Sequence, residues 1–382
     1  MVRALLVPAA VALLAAGAGG AARANDSRVL WQGPVLGGDG VLWGEAAGAS
    51  GSVHRWTADG GERVVYRSDS LALSRPVAAS RTLLAFGRSY PGCAPQPNVV
   101  CPQVEDALVG PPGGPYRNLV RPHTCALATA GATLALDQSL AAYVEPDCRQ
   151  DRVRVAVRDL GRGTRPLIVR DAATSRQCCS DVALAGRFVA WNEGRGDVVV
   201  YDRVARRIAY RAHAAPSEGI GVELGFDLQE DGKLAVAYRL IEVARTVPAT
   251  VAWFSRAAPG AHVLPLRARD TRVRIAGDRI AYHRFLTPTS SALAIVDLAG
   301  RARTVARFAP PLRPGQFDYD GRRIAWSADR VTATRVDCPP PGQGRPCVMR
   351  ETGVTTIRVR GVDEARSRVV ARLAFDDVVG RP

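Results

Sequence analysis

Eight cysteines are the residues of this 382-residue chain whose spacing most clearly indicates a chemistry. An even number of cysteines in a protein that leaves the cytoplasm is typical of disulfide bonds. Two local pairs are predicted, Cys93 with Cys101 and Cys338 with Cys347, because each closes only a short loop. The remaining four leave three connectivities open, and they are Cys125, Cys148, Cys178 and Cys179.

A bond between the adjacent Cys178 and Cys179 would be strained, so we expect each to pair with Cys125 or Cys148. Metal binding is the weaker interpretation of these cysteines. The sequence contains no C-x-x-C pair, and an oxidising compartment favours disulfides.

The histidines lie in different parts of the chain without the spacing of a metal-binding motif, at His54, His123, His213, His262 and His283. We therefore expect solvated loop histidines and no metal site. His123, His213 and His283 are nevertheless predicted to approach the face that bears the cysteines. With Tyr90 and Arg345 they are the candidate residues of a binding face.

Motifs for catalysis or cofactor binding are missing from the sequence. It has no G-x-S-x-G nucleophile motif, no P-loop, no dinucleotide-binding glycine pattern and no EF-hand loop. Carboxylates are numerous, but the sequence alone cannot place any two of them at the separation that glycoside hydrolysis needs. No catalytic residue and no cofactor are predicted.

Residues 1–24 have the features of a secretory signal peptide. Arg3 precedes an apolar stretch, and Ala22-Arg23-Ala24 supplies the small residues of a cleavage site. The alternative, an uncleaved membrane anchor, is disfavoured because an Ala/Gly-rich segment is weakly apolar for a span. We expect residues 25–382 to form one domain outside the cytoplasm, monomeric and without a membrane span.

The formal net charge of +15 comes almost wholly from arginine, since Lys233 is the only lysine. Such a charge attracts anionic surfaces, cell-wall polymers or nucleic acid. The arginines are scattered rather than clustered, however, which favours a compositional bias of the kind found in high-GC bacteria. Nucleic acid is not an expected partner of an exported protein.

The secondary structure is predicted from a phrase that recurs seven times, a turn followed by a short apolar run that ends in an aromatic residue. Successive aromatic residues are 43, 57, 48, 47, 44 and 44 positions apart, which is the period of four-stranded propeller blades. They are Trp43, Phe86, Tyr143, Trp191, Tyr238, Tyr282 and Trp326. The sequence predicts an all-β, seven-bladed β-propeller, with six or eight blades as alternatives.

One repeat illustrates the strand pattern. Strands are predicted over 181–185, 188–192, 197–202 and 208–212, because Val, Ile, Tyr and Phe dominate them and Gly, Asp and Asn fill the breaks. No helical apolar periodicity is sustained after the signal segment. Closure of the ring is predicted in one of two ways: residues 29–31 complete the last blade, or residues 373–379 pair with the first.

The phrase Asp320-Gly321-Arg322-Arg323-Ile324-Ala325-Trp326 resembles the repeat of TolB-type propellers, which are relatives of WD-repeat blades. A looser copy is Asp231-Gly232-Lys233-Leu234-Ala235. The resemblance extends over residues 25–382 and implies the fold and an exported bacterial protein. That family centres on six blades, whereas the repeat here occurs seven times.

Two long insertions are predicted as second-to-third strand connections, residues 88–105 in blade two and residues 327–353 in blade seven. Together with the blade-to-blade connections, they place all eight cysteines on one face. Function usually resides in such loops. The leading hypothesis is a non-enzymatic propeller that binds a protein, peptide or cell-envelope polymer through these loops. The alternative is a propeller hydrolase or lyase acting on polysaccharide or peptide.

Overall fold

The computed structural model describes residues 29–47, 50–68, 73–91, 103–123, 134–147, 150, 152–173, 179, 181–194, 196–214, 222–241, 247–338 and 347–380. These residues form seven antiparallel sheets of four strands each, arranged as the blades of a ring. The predicted seven-bladed β-propeller is confirmed. Every blade consists of four strands that are consecutive in the chain. Within the described residues no helix is long and apolar enough to cross a membrane.

The strands of blades one to three are β1 (Val29–Gly37), β2 (Gly40–Ala47), β3 (Ser50–Thr57), β4 (Gly61–Ser68), β5 (Leu73–Ala79), β6 (Leu84–Pro91), β7 (Gln103–Gly110), β8 (Arg117–His123), β9 (Leu134–Asp137), β10 (Leu140–Asp147), β11 (Arg152–Asp159) and β12 (Leu167–Ala173). Those of blades four and five are β13 (Val182–Ala185), β14 (Phe188–Glu193), β15 (Asp197–Asp202), β16 (Arg207–His213), β17 (Val222–Leu228), β18 (Leu234–Leu240), β19 (Thr250–Phe254) and β20 (His262–Val263). Those of blades six and seven are β21 (Ala268–Ala276), β22 (Arg279–Thr287), β23 (Ser290–Asp297), β24 (Ala302–Phe308), β25 (Leu312–Tyr319), β26 (Arg323–Asp337), β27 (Val348–Gly361) and β28 (Arg368–Gly380).

The hydrophobic core is divided into seven clusters, one between each pair of neighbouring blades. Each cluster joins one face of a sheet to the facing side of the next, which explains why the second strands are apolar on both faces. The predicted aromatic residues all lie on second strands. Six are buried in these clusters, and Tyr238 is partly buried against one of them.

Both predicted modes of ring closure are wrong. β1 is the first strand of blade one and pairs with β2, and β28 is the fourth strand of blade seven and pairs with β27. The ring closes instead through side chains: Leu36, Val41 and Trp43 of blade one pack against Ile357 and Leu373 of blade seven. Among the described residues, neither β1 nor β28 joins the other's sheet, since each blade already has its four strands.

The predicted insertion of blade seven is largely regular structure. β26 and β27 pair from Arg323↔Gly361 to Asp337↔Val348, with one register shift between Val331 and Ala333, so most of residues 327–353 extends two strands rather than forming a loop. β28 follows them, pairing as far as Met349↔Gly380. In blade two, Arg88 and Glu105 lie inside β6 and β7, so the predicted insertion there is shorter than 88–105. Residues 92–102 lie outside the described residues.

Candidate functional site

The face of the ring that bears the second-to-third strand connections also bears the connections between blades, because strands alternate in direction. Three described cysteines lie there. Cys338 and Cys347 follow β26 and precede β27, and they form the predicted disulfide, with 4.2 Å between their Cα atoms. Cys179 precedes β13, is buried and is also disulfide-bonded. Cys93, Cys101, Cys125, Cys148 and Cys178 lie outside the described residues.

A three-stranded ribbon rises from this face, formed by residues 331–337 of β26, 348–354 of β27 and the end of β28. Pairing between β25 and β26 stops at Leu312↔Arg330, and the N–H of Val331 donates to the carbonyl oxygen of Pro311 at 3.2 Å. From residue 332 onward β26 pairs only with β27 among the described strands. All five residues from Thr332 to Val336 are exposed, on both faces of the strand. The ribbon therefore presents a free strand edge, which we call the 331–337 edge.

The base of the ribbon is held firmly. The guanidinium of Arg313 on β25 pairs with both carboxylate oxygens of Glu351, which is buried, with Nη2 to Oε1 at 2.7 Å. Thr355 Oγ1 donates to Asp329 Oδ1 at 2.6 Å. Burial raises the pKa of Asp329 above its ordinary value. These contacts fix the direction in which the ribbon leaves the ring.

The tip of the ribbon carries balanced charge. Arg350 lies 3.0 Å from Asp337 and 3.6 Å from Asp376, and Arg335 lies 3.3 Å from Asp337 and 3.8 Å from Asp376. Two guanidinium groups thus face two carboxylates. These four charges cancel among the described side chains, so the edge offers a partner its backbone groups rather than a strong field.

The residues that were predicted to form a binding face lie in different environments. His213 is exposed at the end of β16, on the cysteine-bearing face, and its Nδ1 lies 2.9 Å from Asp197 Oδ1. His283 is completely buried between Phe308 and Phe317, with Nδ1 2.9 Å from Asp270 Oδ2, so it is not available on that face. Arg345 and the side chains of Tyr90 and His123 lie outside the described residues.

The centre of the ring is a cavity of about 540 Å³ lined by the first strands of all seven blades. Its charged residues come from four blades: Asp181 beside β13, Asp227 on β17, Arg272 and Arg274 on β21, Asp318 on β25, and Asp320 directly after β25. Asp227 Oδ2 accepts a hydrogen bond from the backbone N–H of Ile275 at 2.8 Å, so this acid also ties blade five to blade six.

The guanidinium of Arg274 interacts with the carboxylates of Asp318, Asp227 and Asp181. Its Nε donates to Asp318 Oδ1 at 2.8 Å. Burial opposes protonation, but Asp318, Asp227 and Asp181 outweigh it and raise the pKa of Arg274. Burial and the neighbouring Arg274 lower the pKa of Arg272. Three carboxylates therefore surround one fully charged guanidinium inside the channel.

Two aspartates of the central cavity change their protonation state near neutral pH. Desolvation raises the pKa of Asp181 to about 6, and it raises that of Asp227 to about 6 although Arg274 acts against it. Carboxyl groups tuned in this way are typical of sites that move protons, and they also occur in structural ion networks. This cluster could not be predicted from the sequence, because its members come from four separate sheets.

A second polar cluster lies on blade one. His54 Nδ1 is 2.8 Å from Glu62 Oε1, and His54 Nε2 is 2.8 Å from Ser52 Oγ and 3.6 Å from Glu45 Oε2. Glu45 also accepts from Trp43 Nε1 at 2.7 Å. The ligand atoms of Glu45, His54 and Glu62 lie within 4.8 Å of one another, as metal ligands would. Glu62 lies at Nδ1 of the imidazole and Glu45 lies nearer Nε2, so a metal bound to one ring nitrogen would displace the hydrogen bond made there, and the cluster is better explained as a link between β2, β3 and β4.

Comparison of the chain with models of protein families finds no match, and comparison with curated proteins finds none. Solved structures are similar in fold. One from a structural and mechanistic analysis of two prolyl endopeptidases matches with 14% identity and a TM-score of 0.51, over 90% of this chain and 54% of that chain. The computationally designed protein Ika8 matches with 10% identity and a TM-score of 0.43, over 91% and 97%. BamB from Moraxella catarrhalis matches with 12% identity and a TM-score of 0.38, over 78% and 82%. At these identities the likeness shows the propeller fold alone.

Proposed function

We propose that this chain is an exported, non-enzymatic β-propeller that binds a partner protein as an extended polypeptide segment along the 331–337 edge. The observation that carries the proposal is the free edge of β26, exposed on both faces and closed at its tip by the Cys338–Cys347 disulfide. An unpaired strand edge binds an extended peptide through main-chain hydrogen bonds.

The rigidity of the ribbon supports this function. The disulfide joins the ends of β26 and β27, and the Arg313–Glu351 pair anchors their base, so the edge is ordered before a partner arrives. Binding then costs less conformational entropy than it would for a loop. The resemblance of the repeated phrase to TolB-type blades and the signal-like residues 1–24 support a location outside the cytoplasm.

Site-specific photo-crosslinking in the producing cells tests the proposal. A benzophenone side chain replaces Val336, which is 53% exposed on the ribbon, or Val204, which is 63% exposed in a turn on the opposite face. We expect a polypeptide adduct at position 336 and none at position 204. Equal adducts at both positions, or none at 336, would contradict the proposal. An adduct at 336 that contains only glycan would favour an envelope polymer instead.

Purified components give a second test once the crosslinked segment is identified. Successive N–H groups of a strand point to opposite sides, so one of the variants Ala333→Pro and Thr334→Pro removes an outward N–H. That variant should weaken binding of the synthetic peptide about tenfold. The change Val204→Pro, on the other face, is the matched control and should leave affinity unchanged.

A hydrolase or lyase acting in the central channel is the second candidate. The observation that favours it is the pair Asp181 and Asp227, whose pKa values of about 6 suit proton transfer. A panel of glycans and peptides is the assay. Turnover that falls about a hundredfold in Asp181→Asn and Asp227→Asn would support an enzyme. Turnover unchanged in both variants would reject catalysis by these acids.

A further inference from the structure

We propose that the groove between blades two and three binds a phosphate-bearing ligand through Arg121, Arg158 and Arg165. The groove has a volume of about 840 Å³ and lies between β8 of blade two and strands β10 and β11 of blade three. Its floor includes the connection between β11 and β12, on the face opposite the cysteines. It is therefore separate from both the ribbon and the central channel.

The three arginines reach the groove from different elements. Arg121 lies on β8, Arg158 on β11 and Arg165 in the connection between β11 and β12. Arg121 and Arg165 are exposed, and Arg158 is half-buried. Side chains brought together from three elements make a concave basic site.

None of the three guanidinium groups has a hydrogen bond or an ion pair with the described residues. The Nε of Arg158 is buried and has no acceptor. Two other arginines of the same strand do have partners, since Arg152 and Arg154 both pair with Asp171, at 2.6 and 3.3 Å. A buried donor without an acceptor is costly, so Arg158 is poised for an acceptor from a ligand.

The groove's charge fits a phosphate. Arg121, Arg158 and Arg165 supply three positive charges, and Glu145 is the one carboxylate among the lining residues, so the formal balance is +2. A phosphate monoester carries about −1.5 to −2 at neutral pH. A carboxylate ligand would neutralise only part of this charge. Guanidinium groups also match phosphate oxygens by paired hydrogen bonds.

Other lining residues supply neutral donors and space. Burial and the nearby Glu145 raise the pKa of Tyr143 to about 12, so its phenol keeps its proton. Asn118 and Thr164 add an amide and a hydroxyl at the rim. The groove is much larger than one phosphate ion, which leaves room for the organic part of a phosphate ester.

Isothermal titration calorimetry on the full chain tests the site, with inorganic phosphate, glycerol phosphate and acetate as probes at constant ionic strength. We expect saturable one-to-one binding of at least one phosphate probe and no saturable binding of acetate. Tighter binding of glycerol phosphate would identify an ester as the ligand, and tighter binding of inorganic phosphate would identify the free ion. Equal, non-saturable heats for all three probes would overturn the proposal.

Variants then assign the binding to the groove. Arg158→Gln should weaken phosphate binding about tenfold or more, the usual effect of losing a charged hydrogen bond. Arg165→Gln should weaken it to a smaller extent and, being exposed, should not disturb folding. Arg256→Gln is the matched control, since Arg256 is exposed in the equivalent third-to-fourth strand connection of blade five. Unchanged affinity in both Arg158→Gln and Arg165→Gln would reject the site even if phosphate binds elsewhere.

Discussion

Asp318 Oδ1 lies 2.8 Å from Arg274 Nε, while Oδ2 of the same carboxylate accepts the backbone N–H of Leu36 at 2.8 Å. One side chain of blade seven thus contacts blade six and blade one at once. Since no strand is exchanged at the ring closure, polar contacts of this kind and the packing of Leu36 against blade seven hold the first blade to the last.

Removal of this carboxylate should weaken the ring. Asp318→Ala leaves the Nε of Arg274 and the N–H of Leu36 without their acceptor, so we expect the free energy of unfolding to fall by about 2 kcal/mol. Asp318→Asn keeps an acceptor for Leu36 and should cost less. Urea denaturation measures both. The control is Asp363→Ala, because Asp363 is 96% exposed and 4.0 Å from Arg303, and it should change nothing. Equal effects in Asp318→Ala and Asp363→Ala would contradict this role.

Stability should increase as the pH falls from 7.5 to 5. The folded-state pKa values of Asp181 and Asp227 are raised to about 6, so their contribution is fully present below the unfolded value near 4 and is lost as the pH rises through 6. We expect a change on the order of 2 kcal/mol in the free energy of unfolding.

Thermal denaturation across this pH range is the measurement. The double variant Asp181→Asn, Asp227→Asn should flatten the profile, because an amide does not titrate. Hydrogen-bonded carboxyl groups such as Asp171 and Asp297 have lowered pKa values and matter only at more acidic pH. A wild-type profile that is flat between pH 5 and 7.5 would show that the two channel acids stay ionised.

The disulfide should stabilise the ribbon rather than the whole ring. Residues 332–336 are exposed, so unfolding of the tip exposes little apolar surface and is not tied to the core. In the double variant Cys338→Ser, Cys347→Ser, we expect faster amide hydrogen exchange over 331–337 and a global unfolding free energy within about 1 kcal/mol of wild type. A much larger global loss would mean that the ribbon unfolds together with the ring.

Apolar side chains at the ring closure should contribute more to stability than exposed ones on the same strand. Leu373 on β28 is 2% exposed and lies in the cluster between blades seven and one, so Leu373→Ala should lower the free energy of unfolding by about 3 kcal/mol. Val369 on the same strand is 39% exposed, and Val369→Ala should cost under about 1 kcal/mol. Comparable losses would show that side-chain packing does not close the ring.

The repeat in the sequence was sufficient to predict the blades. Trp43 and its counterparts recur with a constant role in every sheet, and β15 begins and ends at the predicted residues, Asp197 and Asp202. The spacing of apolar residues and the turn residues between them are local signals. Together they predict the order of the strands within a blade.

The ribbon and the channel could be predicted less well. Val331-Thr332-Ala333-Thr334 is rich in β-branched residues and signals a strand, but the polar, Pro-rich residues beyond it suggested a loop. His283 was expected at an accessible face because the second strand of its blade was predicted to end before it, yet β22 continues through His283 and its ring packs against Phe317 of the next blade. Such contacts between sheets form only when the ring is closed, and no local sequence pattern predicts them.

The assembly of each blade from consecutive strands has a consequence for biosynthesis. During synthesis from the N-terminus, blades can complete in order, but the face of blade one that holds Leu36, Val41 and Trp43 has no neighbour until β26 to β28 have been made. A chain that stops before blade seven would carry one uncovered apolar face at each end of an open arc. Such fragments would stick to one another end to end, so truncation late in the sequence should yield aggregates rather than a smaller propeller.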